Sequence, residues 1–163
     1  MHELLPSDPG LIDEGALVDL ANAIARRPDL WQPLVHHDEN ERHCVSLHAD
    51  ERLGVWVISW MPGQDTGYHD HAGSAGAVAV AKGEVREERP GFGATGRCVD
   101  AGSGQAFSFD VDAVHRVVAV GDGPAVTIHA YSPPLAEMGV YDVDEHGSVV
   151  RRTLRWDSVL AAA

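Results

Sequence analysis

Cross-linking capacity is nearly absent from this chain: among its 163 residues only Cys44 and Cys98 are cysteines. Two thiols make no disulfide framework, so a buried core must hold the fold, and 44% apolar residues at this length can supply one. A reducing cytoplasm is the expected compartment. Lysine is scarcer still, with Lys82 alone against eleven arginines. The formal net charge of -13 repels phosphate backbones and anionic bilayers, so neither nucleic acid nor a membrane is an expected partner. Long apolar runs are missing too. The longest, such as Ala75 to Ala81, are too short to span a bilayer, and Met1-His2-Glu3-Leu4-Leu5-Pro6 offers neither a basic region nor a usable hydrophobic one. With no repeat, linker or low-complexity segment, we expect one domain over 1–163, monomeric or at most a weak homo-oligomer.

What is there changes character near Arg42. Before it, Leu17, Leu20, Ala21 and Ile24 recur at helical spacing, so one amphipathic helix is expected over about 13–27, with Asp13 as N-cap and Pro28 beyond its end. After it come short β-rich runs: Cys44–His48, Leu53–Trp60, Ala77–Ala81, Ala106–Phe109, Arg116–Val120, Val126–Tyr131 and Val149–Leu154. Turn signals at Pro62-Gly63, Pro90-Gly91, Gly102-Ser103-Gly104 and Asp122-Gly123-Pro124 separate antiparallel strands of a barrel over about 42–154, with the helix packed outside.

Three histidines stand out within that pattern. His69 and His71 are one residue apart, and a strand alternates its side chains with period two, so both point to one side of one strand. Gly63 before them and Gly83 after them frame a turn and a strand, and Gly104 with His115 repeats the frame, bringing His115 across from the pair. Three neutral imidazoles on one face of a metal leave its other positions open. Asp70, between the pair, points to the opposite face, where hydrogen bonding to the strand or a turn is expected. Trp56 and Trp60 share one strand face and read as core. His36, His37, His43, His48 and His146 read as surface or supporting residues.

The frame resembles the two motifs of the cupins, small antiparallel jelly-roll β-barrels. Gly63, His69, His71 and Gly83 fit motif one, except that Gly76 stands where its glutamate ligand belongs; Gly104 and His115 fit motif two, with Asp110, Asp112 and Ala119 replacing its usual proline, glycine and asparagine. A cupin without that glutamate is similar to the thiol dioxygenases. More narrowly, Trp60 to Gly76, His115-Arg116-Val117 and above all Thr127-Ile128-His129-Ala130-Tyr131-Ser132-Pro133-Pro134 resemble cysteine dioxygenase, over about residues 42–141.

That resemblance implies an all-β cupin jelly roll holding Fe(II) on His69, His71 and His115. It implies a hydrogen-bonded triad of Thr127, His129 and Tyr131 beside the iron, Thr127 standing for the family's serine, and a cis Ser132–Pro133 bond. Gly76 replaces the cysteine that cross-links to the tyrosine in mammalian members, so no thioether forms. An arginine on an early strand pairs with the substrate carboxylate in that family, and Arg42 lies near its place, one residue from the ungapped position at His43. Relatives acting on 3-mercaptopropionate carry glutamine there; no glutamine lies near Arg42 along the chain, which favours cysteine. The implied reaction adds both atoms of O2 to the sulfur of L-cysteine, giving cysteine sulfinic acid. Other readings share the barrel: a dioxygenase of 3-mercaptopropionate or another small thiol, a cupin isomerase or other metal-dependent oxygenase, and a non-enzymatic ligand-binding cupin.

Overall fold

In the computed structural model, residues 1–6, 10–91, 96–143, 146 and 149–155 are described. The Asp13 carboxylate accepts from the Ala16 backbone N–H at 2.9 Å and starts helix α1 (Glu14–Ala25), which satisfies one of the donors a helix N-terminus leaves open. Leu17, Leu20, Ala21 and Ile24 form its buried stripe. Pro28 does not merely follow the helix: it opens a single further turn, α2 (Pro28–Trp31), at a position where a missing N–H costs nothing.

Eleven strands follow among the described residues: β1 (His43–Ala49), β2 (Gly54–Trp60), β3 (His69–Asp70), β4 (Ala75–Lys82), β5 (Glu84–Arg89), β6 (Arg97–Gly102), β7 (Ala106–Phe109), β8 (Arg116–Ala119), β9 (Ala125–Ser132), β10 (Glu137–Val143) and β11 (Val149–Arg155). One wall is a five-stranded antiparallel sheet in the order β1-β2-β9-β4-β7. The other consists of β6-β5-β8 and β11-β10-β3, joined by an antiparallel bridge between His69 and His115. This is the jelly-roll barrel of the cupins, with little helix.

Burial in β9 explains how the site is positioned. Every residue of β9 is buried, because the strand is covered on both faces. Val126, Ile128 and Ala130 pack with Val55, Val57, Ala77 and Ala79 against the stripe of α1. By the period of two, Thr127, His129 and Tyr131 then face the barrel interior. Burying each valine, leucine or isoleucine of this outer layer contributes about 1.5–3 kcal/mol, which fixes the register that sends the polar residues inward. Gly83 makes the sharp reversal from β4 to β5. Its φ is +77°, and a Cβ there would lie 2.8 Å from Cα of Ala125. The Ser132–Pro133 bond that ends β9 is cis, as the resemblance implied.

Four strands escape the apolar pattern: β3, β5, β6 and β10. In β5, Val85 and Glu87 point inward while Glu84, Arg86 and Glu88 do not, so a buried carboxylate interrupts the alternation that would have marked the strand.

Candidate metal centre

His69 and His115 face each other across the narrow pair that joins the two halves of the second wall: His69 N–H donates to His115 O at 2.8 Å, and His115 N–H to His69 O at 3.0 Å. The expectation that His69 and His71 share one strand needs correction. β3 ends at Asp70, and His71 lies just beyond it, because Ala72 and Gly73 turn the chain with φ of +48° and +97°. The Asp70 carboxylate accepts the Ala72 N–H at 3.0 Å and stabilises that turn. His71 still reaches the same centre. The three buried rings form a near-equilateral triangle with centroids 4.7, 4.8 and 4.9 Å apart, and one nitrogen from each lies within 4.8 Å of the others. Such a group is able to hold a metal ion.

The ring nitrogens away from the centre show how the imidazoles are oriented. His69 Nδ1–H donates to Gly67 O at 3.1 Å, and His115 Nδ1–H to Glu87 Oε1 at 2.9 Å. Both therefore present the lone pair of Nε2 inward. His71 has no hydrogen-bond partner on either nitrogen, an arrangement costly for a buried ring unless a ligand takes one of them. Burial, reinforced by the His115 ring, pushes the His69 pKa down to about 3, and burial likewise drives His71 far down, so both are neutral and ready to donate lone pairs. This donor set fits a divalent ion of nitrogen preference without a protein carboxylate. Position 76 supplies none: Gly76 has the Phe109 ring over it.

Two supporting carboxylates were not foreseen as such. Glu87 is 3% exposed; burial alone would raise its carboxyl, but hydrogen bonds from His115 and Arg89 outweigh that and leave it below the usual range. Asp70 does point away from the centre, as expected, yet its main partner is distant in sequence. Arg151 grips it with Nε at 2.6 Å and Nη2 at 2.9 Å, and the Tyr141 hydroxyl donates at 2.7 Å, tying β3 to β10 and β11. These bonds, Arg151 first, hold the Asp70 carboxyl well below the ordinary range.

Beside the triangle runs a hydrogen-bonded line along β9. Trp60 Nε1 lies 2.8 Å from Thr127 Oγ1, Thr127 Oγ1 lies 2.8 Å from His129 Nε2, and His129 Nδ1 lies 3.1 Å from the Tyr131 hydroxyl. The proton bookkeeping runs one way. An indole N–H can only donate, so Thr127 accepts it. Among the described residues the threonine proton has only His129 Nε2 to go to; that places the ring proton on Nδ1, donating to Tyr131. The Tyr131 O–H is thereby left to donate elsewhere. Burial and the neighbouring imidazoles push the His129 pKa down to about 3, and burial pushes the Tyr131 hydroxyl upward, so the ring stays neutral and the phenol stays protonated. Trp60 is thus core by burial but also the first donor of this line, which its place on the strand did not show.

Tyr131, His129, His69, His115 and Arg42 all line one cavity of about 550 Å³. The Arg42 guanidinium sits 5.4 Å from the centroid of the Trp60 ring and donates to the Asp65 carbonyl. The Asp65 carboxylate, close enough to feel the Arg42 charge, makes its own bonds to Arg116 Nη2 and to the Gly67 N–H, both at 2.6 Å. A glutamine does lie in this cavity, contrary to the reading along the chain. Gln64 is committed to the loop, however: Oε1 accepts from Met61 N–H at 2.9 Å and Nε2 donates to Asp38 O at 2.8 Å.

Solved structures agree on the barrel. An uncharacterized conserved protein with a double-stranded β-helix domain from Klebsiella pneumoniae matches with a TM-score of 0.60 at 17% identity, over 67% of this chain and 86% of that one. A Thermus thermophilus protein matches with a TM-score of 0.56 at 20% identity, over 63% and 92%. The fold is therefore that of the cupins. Within it, the family model for cysteine dioxygenase type I matches residues 2–144, and the chain belongs to that family. Cysteine dioxygenase type 1 of Danio rerio is 23% identical over 154 residues, 87% of this chain and 75% of the relative. Membership makes the chain a dioxygenase enzyme, and the three-histidine group fits a thiol dioxygenase. No helix among the described residues is long and apolar enough to cross a membrane.

Proposed function

We propose that this enzyme adds both atoms of O2 to the sulfur of L-cysteine, giving cysteine sulfinic acid, at Fe(II) held by His69, His71 and His115. The observation that carries the proposal is a buried group of three imidazoles with no carboxylate among them, two of which, His69 and His115, line one cavity with a tyrosine hydroxyl left free to donate and an arginine. Fe(II), when bound, supplies the redox chemistry that lets dioxygen react with a thiolate. The sulfur itself supplies all the electrons that O2 takes up, so no separate reductant enters.

The protein groups do the rest. His69, His71 and His115 add no negative charge, so the full positive charge of the ion lowers the pKa of a thiol placed beside it. Arg42, stacked near Trp60 and held by the Asp65 carbonyl, receives the substrate carboxylate and fixes the thiol's reach. Tyr131 donates its proton toward the reacting oxygen or the carboxylate; His129 orients Tyr131, Thr127 orients His129, and Trp60 orients Thr127. Ile58, Val117, Leu135 and Met138 add an apolar lining to the same cavity, and low polarity beside the charged groups strengthens their interactions. Cys44 and Cys98 are unpaired, consistent with work in a reducing cytoplasm.

Arg42→Ala tests the carboxylate assignment. For cysteine kcat/KM should fall about 10- to 150-fold, the worth of a charge-assisted hydrogen bond. For cysteamine, with the same thiol and amine but no carboxylate, it should change little. Equal losses for the two thiols would make Arg42 a structural residue and move the carboxylate site to another group.

A further inference from the structure

We propose that Phe109 is a positioning residue of the metal centre: its ring fills the space above Gly76 and, by stacking on His71, orients the one imidazole that hydrogen bonds leave unheld. Gly76 and Phe109 are direct cross-strand partners in the antiparallel pair of β4 and β7. A Cβ built on Gly76 would run into Cζ and Cε2 of Phe109 and lie 3.0 Å from Cδ1 of Tyr131. An aromatic ring laid over a cross-strand glycine covers backbone that would otherwise lack a packing partner. Here it also lies against the site. The Phe109 and His71 rings are stacked at 4.3 Å and 15°, Phe109 meets His115 edge-on at 4.5 Å, and the Tyr131 ring lies 6.1 Å from Phe109 and 5.5 Å from His71. Phe109 is 1% exposed.

The need for such a contact follows from the other two imidazoles. His69 is oriented by the Gly67 carbonyl and His115 by Glu87, whereas neither nitrogen of His71 has a partner. An imidazole without a hydrogen bond is free to rotate about its last side-chain bond, and only packing can hold its plane. The nearly parallel Phe109 ring does this, and it reaches His71 only because position 76 has no side chain. Gly76 and Phe109 therefore act as a pair: the missing side chain of one makes room for the ring of the other.

The inference rests on the proposed metal role of the three histidines, and a cobalt titration separates the two. The wild-type protein should bind one equivalent of Co(II) with ligand-field absorption bands. Phe109→Leu keeps the apolar volume but not the planar face, and should weaken Co(II) about tenfold or more, the usual scale for losing a residue that orients a ligand, with altered bands. Gly76→Ala retains the phenylalanine but displaces its ring, and should do the same. Phe109→Met replaces Phe109→Leu if the latter does not fold. Folded variants at either position with wild-type cobalt affinity and spectrum would overturn the positioning role. A wild-type protein that binds no Co(II) would overturn the metal reading itself.

Discussion

Replacing His71 by alanine should strip the chain of iron and leave it folded. Losing a group that merely orients a ligand costs roughly 10–100-fold in metal affinity, so losing the ligand should cost more than about 100-fold. His71 is the cleanest of the three to remove. Its ring makes no hydrogen bond to the protein, so no partner is orphaned, and two buried unpaired nitrogens disappear from the metal-free state. His115→Ala should also lose iron, but it leaves the buried Glu87 carboxylate with Arg89 alone, and His69→Ala leaves the Gly67 carbonyl with the Thr66 hydroxyl alone. Iron per chain, measured alongside circular dichroism, checks all three. Normal iron in a folded variant of any of them would remove that residue from the ligand set.

Tyr131→Phe should retain iron and thiol binding yet lose about 10²–10⁴-fold in turnover, the usual worth of a placed proton donor. The variant deletes one oxygen, whose imidazole hydrogen-bond partner among the described residues is His129, at 3.1 Å, and not a ring of the metal group. Folding should weaken by about 1–3 kcal/mol, because His129 Nδ1–H then lacks an acceptor in a fully buried place. Iron content and anaerobic thiol affinity, measured separately from turnover, distinguish a lost proton donor from a disturbed centre. Turnover at the wild-type level would show that the hydroxyl takes no part in the chemistry.

The parts of the fold and site that were legible in the sequence are those written in local periodicity. α1 shows in the spacing of Leu17, Leu20, Ala21 and Ile24, and the Thr127, His129, Tyr131 line shows because a strand returns to the same face every second residue. The convergence of His69, His71 and His115 showed through glycines that mark the turns around them. What stayed hidden depends on pairings between distant segments. Glu87 reaches His115 only because β5 pairs with β8, and as a charged residue in the inward row it obscured its own strand. The Arg151 clamp on Asp70 and the approach of Phe109 to Gly76 likewise exist only once β10, β11 and β7 are docked. Gln64 shows the reverse case: remote from Arg42 in sequence, it shares its cavity, and only its hydrogen bonds reveal that it serves the loop.

The central claim, that this centre moves both atoms of dioxygen onto a thiol, is tested most directly by supplying iron-loaded wild-type protein with L-cysteine under oxygen-18 gas and analysing the product by mass spectrometry. The account predicts cysteine sulfinic acid carrying the label in both oxygen positions, with cysteine and O2 consumed in equal amounts and no added reductant. Sulfinic acid with an oxygen drawn from water, or oxygen uptake that ends only in cystine, would contradict it.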